Sequence, residues 1–127
     1  MPTILVVDDD DDLRPLLVGV LQAAGYQTLE ASNGVLGLRL LRQQKVDLLV
    51  TDLVMPEKEG LELIMDVRAQ FPGLRVVAIS GGVWSSKQSF LPVAKKLGAD
   101  RAMSKPFTIE QFLTTIEEVL ASDRAAH

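Results

Sequence analysis

The segment Thr3-Ile4-Leu5-Val6-Val7-Asp8-Asp9-Asp10-Asp11-Asp12-Leu13 passes directly from a short β-branched apolar run into five consecutive carboxylates. Thr3–Val7 is too short for a helix and shows no polar alternation, so it reads as a strand buried on both faces, as in a parallel sheet. Apolar residues then recur at helical spacing, at Leu13, Leu16, Leu17, Val20, Leu21 and Ala24. Pro15 falls in the first turn, where a missing N–H does least harm, and Gly25 is a C-terminal stop. An acidic run is by itself a solvated loop or a helix start, since Asp is a favoured N-cap. At the end of a buried strand it has a second reading, as a source of functional acids.

The same strand-then-helix unit repeats along the chain. Gln27 to Ala31 is a weaker second strand, and Asn33 to about Gln43 a second helix whose propensity Gly34 and Gly37 lower. Val46 to Thr51 is a third strand ending at Asp52. After Met55-Pro56, Gly60 opens a helix through Leu61, Ile64, Met65 and Val67, which Phe71-Pro72-Gly73 ends. Arg75 to Ile79 is a fourth strand stopping at Ser80-Gly81-Gly82. The fourth helix, from about Ser86 to Leu97, contains Pro92, which is expected to kink or split it. Gly98-Ala99-Asp100 leads to a fifth strand at 101–104, then Lys105-Pro106-Phe107. Ile109, Phe112, Leu113, Ile116, Val119 and Leu120 mark a final amphipathic helix. Strict alternation implies an α/β fold, a parallel sheet with helices on both faces. Right-handed crossovers then bring the C-terminal end of every strand to one edge.

The bulk properties fit one domain over 1–127, with a folded core at about 3–121 and a frayed tail. Of 127 residues 47% are hydrophobic, enough for a core and too many for a disordered chain. No apolar run approaches the ~20 residues of a membrane helix. Met1-Pro2-Thr3 lacks the basic start of a signal peptide. With no cysteine, disulfides, thiolate metal sites and cysteine nucleophiles are excluded, and a cytoplasmic setting is the default. The net charge of −4 argues against nucleic acid as a direct partner.

The informative side chains stand where strands end. Asp8 and Asp9 close the first strand, Asp52 the third, Ser80 the fourth and Lys105 the fifth. Ligands of open parallel sheets bind outside these carboxyl ends. Each residue has an ordinary explanation, as a helix cap, a turn serine or a solvated lysine. Together they would converge on one pocket. Three carboxylates so close repel one another unless a proton or a cation compensates. The donors are hard oxygens, and the sole histidine is His127 at the terminus. The expected ion is therefore Mg²⁺ or Mn²⁺.

These residues resemble the receiver domain of bacterial two-component response regulators. The resemblance is carried by Ile4-Leu5-Val6-Val7-Asp8-Asp9-Asp10, by Asp52-Leu53-Val54-Met55-Pro56 with Gly60, by Ser80-Gly81, and by Gly98-Ala99-Asp100 leading to Lys105-Pro106-Phe107. It implies a flavodoxin-like (βα)5 three-layer sandwich with strand order 2-1-3-4-5. It also implies roles. Asp52 would take a phosphoryl group from a phosphohistidine on a sensor histidine kinase or from a phosphotransfer protein. Asp8 and Asp9 would hold Mg²⁺ together with Asp52 and the backbone carbonyl of Val54, Asp9 being the more direct ligand. Lys105 would pair with the acyl phosphate, Ser80 would hydrogen-bond to it, Gly81 would leave it room, and the Lys105–Pro106 peptide would be cis. The chain would be a signalling switch, not a turnover enzyme. Its output would be a changed surface on the fourth helix, fifth strand and fifth helix, read by an unknown downstream protein. Homodimerisation through the last two helices stays open.

One position departs from the pattern. Three residues before the lysine the family carries Tyr, Phe or His, and here Ala102 stands there; Trp84, after the fourth strand, is the candidate substitute. Two rivals remain at this level. A receiver-like interaction module would dock without being phosphorylated. A phosphatase of the haloacid dehalogenase type would use Asp8-x-Asp10, although Asp12 replaces the Thr or Val of its motif. An EF-hand fails because Leu13 and Gly19 occupy the required Gly and Glu positions. A nucleotide-binding loop fails because acids replace the glycines after the first strand.

Overall fold

Ile4, Leu5, Val6 and Val7 are wholly buried at the centre of a five-stranded parallel sheet of order β2-β1-β3-β4-β5. The computed structural model describes residues 1–53, 60–80 and 95–122. The strands are β1 (Thr3–Val7), β2 (Gln27–Ala31), β3 (Leu48–Asp52), β4 (Arg75–Ser80) and β5 (Arg101–Ser104). The helices are α1 (Leu13–Ala23), α2 (Gly34–Gln43), α3 (Gly60–Gln70), α4, described at residues 95–97, and α5 (Ile109–Ala121). Most of the expected fourth helix, including Pro92, lies outside the described residues.

Alternation along each strand divides the core into two layers. Leu5, Val7, Leu49, Val76 and Ala78 pack with Leu38 and Leu41 of α2 and with Leu63, Ile64 and Val67 of α3. Ile4, Val6, Leu48, Val50, Val77 and Ile79 pack on the opposite face with Leu17, Val18 and Leu21 of α1 and with Phe112, Ile116 and Val119 of α5. This is the three-layer sandwich that the alternation implies. Leu16, Met65 and Ile109 are corrections to the expected apolar faces, since all three are more than half exposed. In α1 the buried stripe runs through Leu17, Val18 and Leu21, and at 100° per residue Leu16 is turned away from its centre.

Local chemistry sets the element ends. Asn33 caps α2 by accepting from the Leu36 N–H, 2.9 Å. Thr108 and Gln111 form a reciprocal capping box at α5, 3.0 and 2.9 Å. The third strand begins two residues later than the sequence suggests, at Leu48. The carboxylate of Asp47 accepts from the Thr3 N–H, 2.8 Å, so a side chain takes over a bond at this corner.

The edge of the sheet opposite the strands' C-terminal ends is braced by one guanidinium. Arg68 donates to the carbonyls of Gly98 (2.9 Å), Phe71 (3.2 Å), Pro72 (3.1 Å) and Leu74, and approaches Asp100 Oδ2 at 3.5 Å. Asp100 Oδ2 in turn accepts from the Val76 N–H, 2.8 Å. Gly98 has φ +125° with the Arg68 chain against it, so no other residue fits there without strain. Each such bond contributes roughly 0.5–1.5 kcal/mol. Replacing Arg68 by Ala is therefore expected to lower the unfolding free energy by about 2–4 kcal/mol in urea titrations.

Candidate functional site

Parallel pairing in the registers Val7↔Ala31, Val7↔Thr51, Asp52↔Ile79 and Ser80↔Ser104 aligns the strand ends at one edge. Asp8, Asp52 and Lys105 continue the alternation of Ile4 and Val6, of Leu48 and Val50, and of Met103, all on the α1/α5 side. Ser80 and Ala102 follow the alternation of the other face, where Ala78 and Ala102 are paired neighbours. The pleat thus sends acids and amine to one side of the sheet edge and the hydroxyl to the other.

Carboxylate oxygens of Asp8, Asp9 and Asp52 lie within 4.8 Å of one another. Asp8 and Asp52 are buried, 2% and 8% exposed, while Asp9 is exposed. Lys105 Nζ stands 3.6 Å from Asp52 Oδ2 and 3.9 Å from Asp8 Oδ2. Three carboxylates and one ammonium leave two negative charges when all are ionised, and the donors are hard oxygens. A divalent ion of the Mg²⁺ class fits that set.

Ser80 is buried at 2% exposure, and its hydroxyl has no hydrogen-bond partner among the described residues. Thr51, equally buried, donates instead to the Asp52 carbonyl, 2.9 Å. A buried hydroxyl left unmatched costs about 1–3 kcal/mol. Gly60 closes the back of the site. Its N–H donates to Leu53 O, 3.1 Å, and a Cβ there would fall onto the backbone of Asp52 and Leu53. The Lys105–Pro106 peptide is cis, as the resemblance implied.

Beyond Asp9 the acidic run has ordinary duties. Asp10 Oδ1 accepts from the N–H groups of Asp12 and Leu13, 2.9 and 3.0 Å, and starts α1. Those two bonds hold its carboxyl below the usual carboxylate range. One oxygen of Asp10 is thus engaged with the start of the helix. Val54, Gly81 and Trp84, the remaining expected site residues, lie outside the described residues. Ala102 is half-buried in the strand next to Ser80, a methyl group where the family has a ring.

The sequence reading missed Arg14. Its guanidinium binds the Asp8 carbonyl and two acids at the rim of the site. The signal was there: Arg14 is the sole Lys or Arg before Arg39, two positions past five carboxylates.

Fold, strand-end acids and paired lysine define a receiver, and the chain belongs to the response regulator receiver domain family, whose model matches residues 4–117. The family is a signalling module whose members interact with histidine kinases or phosphotransfer proteins and generally bind Mg²⁺ at an acidic pocket. Among its relatives is the response regulator receiver protein CpdR of Brucella abortus, 34% identical over 125 residues, covering 94% of this chain and 98% of CpdR. The sensor kinase CckA of the same organism is 35% identical over 120 residues, covering 93% of this chain; the match spans only 12% of CckA. The receiver domain of Brucella abortus NtrX superposes with a TM-score of 0.88 at 30% identity, covering 94% of this chain and 99% of that domain. No helix among the described residues is long and apolar enough to cross a membrane.

Burial, more than the nearby charges of Asp52 and Asp9, raises the Asp8 carboxyl from 3.8 to about 6, against the lowering effects of the Asp10 N–H and Lys105. A folded-state pKa above the unfolded one contributes stability that is complete below 3.8 and lost as pH rises through about 6. At neutral pH an ionised Asp8 therefore destabilises the metal-free fold, by on the order of 2–3 kcal/mol. Replacing Asp8 by Asn should stabilise the chain in chelator by up to that amount at neutral pH, with the gain roughly halved near pH 5 in urea unfolding.

Proposed function

We propose that the acidic cluster is the phosphoacceptor site of this receiver and that Asp52 takes the phosphoryl group. The observation that carries this is the convergence of Asp52 with Asp8, Asp9 and Lys105 at one sheet edge, Lys105 Nζ being 3.6 Å from Asp52 Oδ2. A carboxylate oxygen of Asp52 attacks the phosphorus of a phosphohistidine on a sensor histidine kinase or a phosphotransfer protein. The O–P bond forms and the P–N bond breaks; the electron pair stays on the imidazole, which takes a proton from solvent. Lys105 then pairs with the new acyl phosphate, and the Ser80 hydroxyl donates to one of its oxygens.

Asp8, Asp9, Asp52 and the backbone carbonyl of Val54 are the groups that would hold Mg²⁺ (or Mn²⁺). When bound, such an ion offsets charge on the transferring phosphoryl oxygens. What supports the ion is the set of hard donors and their net charge. The chain is read as one receiver domain over 1–127, in a cytoplasmic setting, passing its signal by protein contact.

Phosphorylation adds roughly two negative charges and three acceptor oxygens beside Ser80. Drawing Ser80 toward them alters the segment after β4 and, through it, the α4–β5–α5 surface that a downstream protein or a second copy reads. Ala102 has no ring to follow Ser80 inward, so Trp84 is the proposed substitute and Gly81 the residue that leaves room for the phosphoryl group.

Asp52→Asn is expected to abolish labelling by acetyl phosphate in the presence of Mg²⁺, read by intact-protein mass spectrometry; undiminished labelling would refute the assignment. Lys105→Ala should still bind Mg²⁺ by calorimetry but fail to shift the amide spectrum of β5 and α5 on phosphorylation. A normal shift would remove Lys105 from the switch.

A further inference from the structure

We propose that Arg14 is the positioning residue of the acidic pair: its guanidinium fixes the Asp8–Asp9 backbone and so sets how tightly the carboxylate cluster holds a divalent cation. The inference rests on the reading of that cluster as a cation site.

The Arg14 side chain is 13% exposed and spends its donors on three different stretches of chain. Nη1 donates to the Asp8 carbonyl at 2.7 Å, Nη2 to Asp11 Oδ1 at 2.7 Å and Nε to Glu30 Oε1 at 3.0 Å. Glu30 belongs to β2, so the guanidinium is anchored to the sheet while it grips the loop. On the other side of the same residue, the Asp8 N–H donates to Ala31 O, also on β2, at 3.1 Å. Both backbone polar groups of Asp8 are therefore held from the β2 side. The Asp8 side chain is restrained as well, Oδ1 accepting from the Asp10 N–H at 2.9 Å.

This matters most for Asp9. Asp9 is exposed, and its carboxylate reaches the cluster against the charges of Asp8 and Asp52. Rotation of the Asp8–Asp9 peptide would relieve that repulsion by swinging Asp9 outward. The Arg14 bond to the Asp8 carbonyl opposes that rotation. Three donors in a rigid planar fork can meet three acceptors at once; an ammonium on a flexible stem cannot hold the same geometry. Mg²⁺ demands near-ideal ligand placement, so its affinity reports such a loss directly.

Charge and position make opposite demands, which renders the proposal testable. The positive charge of Arg14 repels a cation, so if charge were its only contribution, removing it would tighten Mg²⁺ binding. Arg14→Lys keeps the charge and loses the fork; Arg14→Gln loses both. Mg²⁺ is titrated into wild type, both variants and Asp9→Asn by calorimetry, at low and high salt, with urea unfolding in chelator on the same samples. Positioning predicts that Arg14→Lys and Arg14→Gln both weaken Mg²⁺ binding about tenfold. The loss should persist at high salt, where charge effects are screened. Wild-type affinity in folded Arg14→Lys, whatever its stability, overturns the inference, as does tighter binding by Arg14→Gln. A wild type that binds no Mg²⁺, and is indistinguishable from Asp9→Asn, instead overturns the cation reading and the inference with it.

Discussion

Asp8, Asp9 and Asp52 put carboxylate oxygens within 4.8 Å of one another, and that mutual repulsion is the constraint around which the rest of the molecule is arranged. A parallel sheet creates the problem, because it brings the ends of distant strands to one edge. The same sheet contains it. Lys105 at the end of β5 supplies one opposite charge, and Arg14 together with the Ala31 carbonyl holds the Asp8 backbone in place. Burial pushes Asp8 toward its protonated form, and the helix N–H groups occupy Asp10. The electrostatic stress at this edge is thus met by an ammonium, by backbone restraint and by burial rather than removed.

The pleat divides the labour at that edge. Acids and amine stand on the α1/α5 side, while Ser80 and Ala102 follow the opposite face, above α2 and α3. Asp52 and the Ser80 hydroxyl, which has no partner among the described residues, thus follow opposite faces at adjoining strand ends. Gly60 ties the start of α3 to the main chain of Asp52 and Leu53, so Asp52 and the helix behind it share one backbone junction.

Much of this was legible in the sequence because a strand buried on both faces, such as Thr3–Val7, leaves a continuous apolar run, and because Gly25 and Gly98 mark where the partly exposed edge strands follow. Thr3–Val7, Gln27–Ala31 and Arg101–Ser104 match their strands residue for residue. The third strand was read two residues early because Asp47 does pair with Thr3, its N–H donating to the Thr3 carbonyl, but its carboxylate rather than a backbone carbonyl takes the Thr3 N–H. Leu16, Met65 and Ile109 misled because apolar identity does not say which way a helix is rotated. Asp8, Asp52, Ser80 and Lys105 could be picked out because each ends a strand or follows directly on one. Arg14 was missed: its isolation beside five carboxylates marked it as a partner for acids, but its bond to the Asp8 backbone carbonyl could not be read, since carbonyls carry no residue identity.

That last point has a counterpart at the other end of the sheet. The brace at Arg68 relies on main-chain acceptors at Gly98, Phe71, Pro72 and Leu74. Any amino acid offers a carbonyl, so as far as these bonds go the acceptor positions can change type freely. The donor has no such latitude, because only a guanidinium reaches so many oxygens at once. Tolerance at this pole is therefore lopsided: Pro72 can change type, Phe71 and Leu74 are bound only by the core they pack into, and the arginine and the glycine pressed against it are bound by the brace itself.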